Sequence, residues 1–127
     1  MSQDAFKIKI HGIGIGEAQG LLKRHLAPIT VGRLLRALQD APISGPVMRY
    51  GTGQICLQTT VAAGKEKSVH QVEPGDLAYT PQTSSICIFV EPCKPYSPVN
   101  KIGLLTEGLE LFEKLRTGIS LSIQLCE

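Results

Sequence analysis

Apolar and polar residues alternate in a way that predicts a mainly β fold, a barrel or sandwich of about eight short strands with two short helices. Three observations carry this. Residues 6–11 (Phe-Lys-Ile-Lys-Ile-His) alternate strictly, the mark of a strand buried on one face. Residues 86–90 (Ile-Cys-Ile-Phe-Val) form an unbroken apolar run rich in branched side chains, as expected of a strand covered on both faces. Helical spacing is met in only two stretches, near residues 30–40 and 107–116.

The elements follow in order. After the first strand come Gly12, Gly14 and Gly16, which suit a chain reversal. A dinucleotide fingerprint would need a third glycine at position 17 and a helix after it; position 17 is Glu, so a hairpin turn is expected. Residues 21–26 are expected to return as a second strand. Thr30 is placed to cap a helix whose apolar stripe is Val31, Leu34, Leu35 and Leu38. Pro42 ends it, because the residue before proline avoids helical angles.

Residues 46–50 and 54–61, joined by Gly51-Thr52-Gly53, read as a hairpin. In its second arm Ile55, Leu57, Thr59 and Val61 share one face, and Cys56, Gln58 and Thr60 the other. Residues 68–72, 77–79, 86–90 and 99–105 read as further strands, and residues 91–98, with three prolines, as a loop. Glu107 and Glu110 near its start, and Lys114 and Arg116 near its end, complement the dipole of a second helix with Leu109, Phe112 and Leu115 as its buried stripe. Gly118 stops it, and residues 119–125 alternate as a closing strand.

Composition narrows the class. The 127 residues make one domain, 1–127, with 43% hydrophobic and 19% charged residues. A net charge of +2, dispersed basic residues and no Trp argue against nucleic-acid binding. No run approaches the ~20 apolar residues that span a membrane, and residues 1–4 show no secretory pattern, so a cytoplasmic protein is expected. Cys56, Cys87, Cys93 and Cys126 form no CxxC pair, and His11, His25 and His70 show no ligand spacing, so no metal and no cofactor are expected. The thiols are expected to be reduced, with Cys87 buried in its apolar strand and Cys93 exposed in a loop.

Residues 73–79 (Glu-Pro-Gly-Asp-Leu-Ala-Tyr), then Pro81, then residues 86–89 (Ile-Cys-Ile-Phe), resemble a pattern of uncharacterised microbial cyclophilin-like proteins, roughly E-P-G-D-L-A-Y-W-P-P-G followed by A-L-C-I-F-F. Ser97-Pro98-Val99-Asn100 continues the likeness, and Arg49-Tyr50-Gly51 and Gln54-Ile55 extend it upstream. Thr80, Gln82 and Thr83 depart from the pattern, as do Tyr50 and Gln54. The resemblance implies a cyclophilin-like β-barrel with helices over its ends, but no assigned reaction.

Within that frame the candidate cleft is Arg49, Tyr50, Gln54, Tyr79 and Phe89. The guanidinium of Arg49 offers donors for a carboxylate, phosphate or peptide carbonyl, and Tyr79 and Phe89 would supply an apolar wall. Tyr50 alternates to the other face of the strand from Arg49. Glu73 and Asp76 are expected to shape a turn. A binding module for a small molecule or an extended peptide is the expected function, with homo-oligomerisation left open. The alternative is a peptidyl-prolyl cis-trans isomerase, in which Arg49 would act on the proline amide. Against it, the ordinary cyclophilin run around the arginine is absent.

Overall fold

A computed structural model describes residues 4–12, 14–51, 53–92, 94–95 and 97–126. The chain runs β1 (Ala5–Gly12), β2 (Gly16–Lys23), α1 (Pro28–Asp40), β3 (Ile43–Tyr50), β4 (Gln54–Gln58), β5 (Asp76–Thr80), β6 (Ser85–Phe89), β7 (Asn100–Glu107), α2 (Glu110–Glu113) and β8 (Ser120–Leu125). Around the barrel the order is β1-β2-β7-β5-β6-β4-β3-β8, closing on β1. Every neighbouring pair is antiparallel. Closure removes the free edges through which an open sheet would recruit other chains. No helix among the described residues is long and apolar enough to cross a membrane.

Period-two alternation sorts the side chains. Ile8 and Ile10 of β1, Ile55 and Leu57 of β4, Leu77 and Tyr79 of β5, Ile86 and Ile88 of β6, and Leu121 and Ile123 of β8 all enter the interior cluster. α1 lays Val31, Leu34, Leu35 and Leu38 on the same cluster, and Phe112 and Leu115 join it from the α2 region. The intervening residues Cys56, Ala78, Cys87 and Phe89 point outward, yet they are buried beneath Val69, Val72 and Val99. This second layer explains the continuous apolar run of β6: the strand is covered on both sides. It is held by a pair of backbone hydrogen bonds between Val69 and Val99, at 2.8 and 3.0 Å.

Four expectations are corrected. The second strand is Gly16–Lys23, not residues 21–26, which end in a 3-10 turn at Arg24–Leu26. Its inward positions are Ala18, Gly20 and Leu22, so two of the three are too small to register as an apolar pattern. α1 begins at Pro28, which suits a first-turn position because its ring presets φ and it lacks only an unneeded N–H. Thr30 therefore lies inside the first turn and is not its cap. Residues 68–72 form no strand beyond the single bridge Val69–Val99. The second helix shrinks to Glu110–Glu113, because β7 keeps Thr106 and Glu107 in the sheet and Gly108 then turns the chain at φ +92°.

Candidate functional site

A pocket of about 210 Å³ lies on the outer wall, lined from the end of β3, from β4 and from the end of β5. Tyr50 and Gln54, cross-strand partners at the β3–β4 hairpin, form one wall. Thr80, Gln82 and Thr83, at the end of β5 and in the turn to β6, form another. Pro95 and Ser97 close the rim, where the Ser97 hydroxyl donates to Gln82 Oε1 at 3.0 Å and so ties the rim to the second wall. Cys56 and Val99, both buried, are the apolar floor.

The floor has its own chemistry. Cys56 and Cys87 face each other directly across β4 and β6, and both thiols are free. Gln54 Nε2 lies 3.3 Å from Cys56 Sγ and 3.5 Å from Cys87 Sγ, donating to both. The Thr80 hydroxyl meets Cys87 Sγ at 3.2 Å. The hydrogen bond between the two sulfurs, reinforced by burial, pushes the Cys56 thiol up. That same bond favours the Cys87 thiolate; burial opposes it, but donors at Thr80 and Gln54 help, and Cys87 ends below its ordinary value.

The five residues singled out from sequence do not converge. Tyr50 and Gln54 line the pocket. Arg49 belongs to the other face of β3, as the alternation requires, and its Nη1 donates to the carbonyls of Phe112 at 3.2 Å and Leu115 at 2.9 Å. Its backbone N–H donates to Thr117 Oγ1 at 3.0 Å. Arg49 thus fastens the α2 region to the barrel wall and is not among the residues that line the pocket. Tyr79 points into the barrel, fully buried; its hydroxyl donates to the Val61 carbonyl at 2.6 Å and accepts from the Ala63 N–H at 3.1 Å. Phe89 faces outward beside Gln54 but is sealed under the second layer. Asp76 shapes its turn, accepting from the Glu73 N–H at 2.8 Å, and pairs with Lys101 at 3.4 Å.

Sequence reasoning passed over Cys56, Thr80 and Val99 as pocket residues. The available signal was the shared phase of Gln54 and Cys56 along one strand; what they face required the pairing of β4 with β6. Cys93 lies outside the described residues. A second groove, about 590 Å³, runs between the end of α1, the start of β3 and residues 58–61, and no ionisable side chain lines it.

A family model described as cyclophilin-like matches residues 7–124. The solution structure of a hypothetical protein from Archaeoglobus fulgidus superposes with a TM-score of 0.81 at 28% identity, covering 98% of each chain. A structure of McbB in complex with tryptophan superposes with a TM-score of 0.74 at 11% identity, over 92% of this chain and 44% of that one, a likeness of fold alone. No curated protein matches the sequence.

Proposed function

This chain belongs to the cyclophilin-like family, and we propose that it is a binding module whose outer-wall pocket takes a small ligand or one side chain of an extended peptide. The observation that carries this is the pocket itself: an apolar floor at Cys56 and Val99, ringed by the few polar groups of Tyr50, Gln54, Thr80 and Gln82. Apolar concavities with a small number of placed polar groups are the usual form of a ligand site. Its volume of about 210 Å³ falls below the ~300 Å³ typical of drug-sized sites, which favours a compact group over a large cofactor. Tyr50 stands 49% exposed at the rim, where its ring can cover an incoming group. A cytoplasmic setting accords with the free thiols of Cys56, Cys87 and Cys126.

The isomerase alternative is the weaker reading. It needs a cationic donor over the bound proline, and the guanidinium of Arg49 is engaged with the carbonyls of Phe112 and Leu115. One screen addresses both: fragments and short extended peptides, with and without proline, followed by amide and side-chain NMR. The expected result is saturable shifts at Tyr50, Gln54 and Thr80, with Gln54→Ala weakening binding about fivefold, the loss of one hydrogen bond of about 1 kcal/mol. Shifts confined to other surfaces, or a Gln54→Ala variant that binds every hit equally well, would remove the pocket from consideration. Accelerated isomerisation of the proline peptides would favour the alternative.

A further inference from the structure

Three sulfur-bearing side chains stand in one cross-strand row on the outer wall. Met48 on β3 is the register partner of Cys56 on β4, and Cys56 is the register partner of Cys87 on β6. All three point to the same side of the sheet, since Val47, Ile55, Leu57, Ile86 and Ile88 take the inward positions. Directly opposed residues on one face hold their Cβ atoms about 4.5–5.5 Å apart, which brings paired cysteine sulfurs within joint reach of one ion. Met48 is half exposed, free to swing its long side chain over its neighbour, while Cys56 opens onto the floor of the pocket.

We propose that Cys56 and Cys87, with Met48 as a third, thioether ligand, form a binding site for a soft monovalent cation of the Cu(I) class. Thiolate and thioether sulfurs favour soft cations, Cu(I) among them, and the thioether and the low ligand count suit Cu(I). Zinc is disfavoured, because it takes four ligands in a closed site, and no group of three or more His, Cys, Asp or Glu side chains suited to a metal exists among the described residues. Binding deprotonates the thiols, and both protons leave to solvent. The resulting dithiolate–Cu(I) unit carries one negative charge, and the donors already aimed at the sulfurs, Gln54 Nε2 and the Thr80 hydroxyl, are placed to stabilise it. The pocket is the entry path, through Cys56. The site does not depend on which organic group the pocket holds.

The test is an anaerobic titration of the fully reduced chain with Cu(I) in competition with a chromophoric Cu(I) chelator. The expected result is one high-affinity Cu(I) per chain, retained in a Cys93→Ser/Cys126→Ser double variant. Cys56→Ser should weaken it by about 100-fold or more, and Met48→Leu by about tenfold, scales set by known effects of disturbing ligand shells. A chain that fails to compete, a Cys56→Ser variant of unchanged affinity, or loss of binding in the double variant would overturn the site. Unchanged affinity in Met48→Leu would overturn the thioether's part. A second measurement needs no substitution: Cu(I) loading of the natural chain should protect Cys56 from alkylation, as mapped by peptide mass. Equal labelling with and without Cu(I) would count against the site even if the serine variants misfold.

Discussion

Oε1 of Glu66 accepts both donors of Thr30, the backbone N–H and the hydroxyl, at 2.8 Å each, from 36 residues along the chain. Oε2 takes the Ile29 N–H at 2.9 Å, so one carboxylate caps the start of α1. Burial alone would raise the pKa of this carboxyl. The Ile29 and Thr30 hydrogen bonds and nearby Lys67 outweigh that and hold it below its ordinary value of 4.5. The folded state thus binds the proton less readily than the unfolded chain. The stabilisation is complete above the unfolded value and is lost as pH falls through the lower, folded one. Glu66→Gln should cost about 1 kcal/mol at neutral pH, the scale of a charge at a helix N-terminus, and the gap from the natural chain should close in acid below pH 4.5. Urea titrations at neutral pH and at about pH 3 measure it. A gap that stays constant would mean that carboxylate charge is not what caps α1.

Arg49→Ala should lower stability by about 1.5–3 kcal/mol, the range for hydrogen bonds from a charged donor, because the Phe112 and Leu115 carbonyls lose their partner. Any ligand found for the pocket should bind this variant as it binds the natural chain. Equilibrium unfolding and an affinity measurement read the two effects separately. Weakened binding at unchanged stability would put Arg49 in the site after all.

Tyr79→Phe removes one oxygen from the barrel interior, takes from the Ala63 N–H its acceptor, and leaves the Val61 carbonyl only the longer bond from the Thr59 hydroxyl at 3.4 Å. The expected cost is about 1–3 kcal/mol. Native-state hydrogen exchange should show faster exchange at Ala63 in particular. Exchange unchanged there would mean that segment 61–63 is held by something other than Tyr79.

Gly103→Ala should be among the most damaging single substitutions. A Cβ at position 103 would lie 1.9 Å from the Leu21 carbonyl oxygen, a backbone atom of the paired strand that cannot yield alone. A loss of about 3 kcal/mol or more is expected, at the upper end for overpacking. Gly45→Ala, whose nearest new contact is the Leu57 side chain at 3.6 Å, is the control and should melt close to the natural chain. Similar melting points for the two variants would argue that β2 and β7 do not approach as closely as their register implies.

The sequence by itself determined the class of fold and the phase of most strands. Ile8 and Ile10, Ile55 and Leu57, and Leu121 and Ile123 each mark an inward face because side chains in a strand alternate. The apolar run at β6 announced burial on both sides, and Val31, Leu34, Leu35 and Leu38 marked the face of α1. β2 was illegible, since Ala18 and Gly20 occupy inward positions where the neighbouring strand comes close. Alternation also separated Arg49 from Tyr50, but it could not say which of them faced the pocket; that depended on what covered each side of the wall. Partnership was decided only in three dimensions. Nothing local ties Glu66 to Thr30, Tyr79 to Val61, or Cys56 to Cys87, because strand order in a closed barrel is set by the packing of the whole chain and not by spacing along it. The pocket and its sulfur floor exist only because β4 pairs with β6.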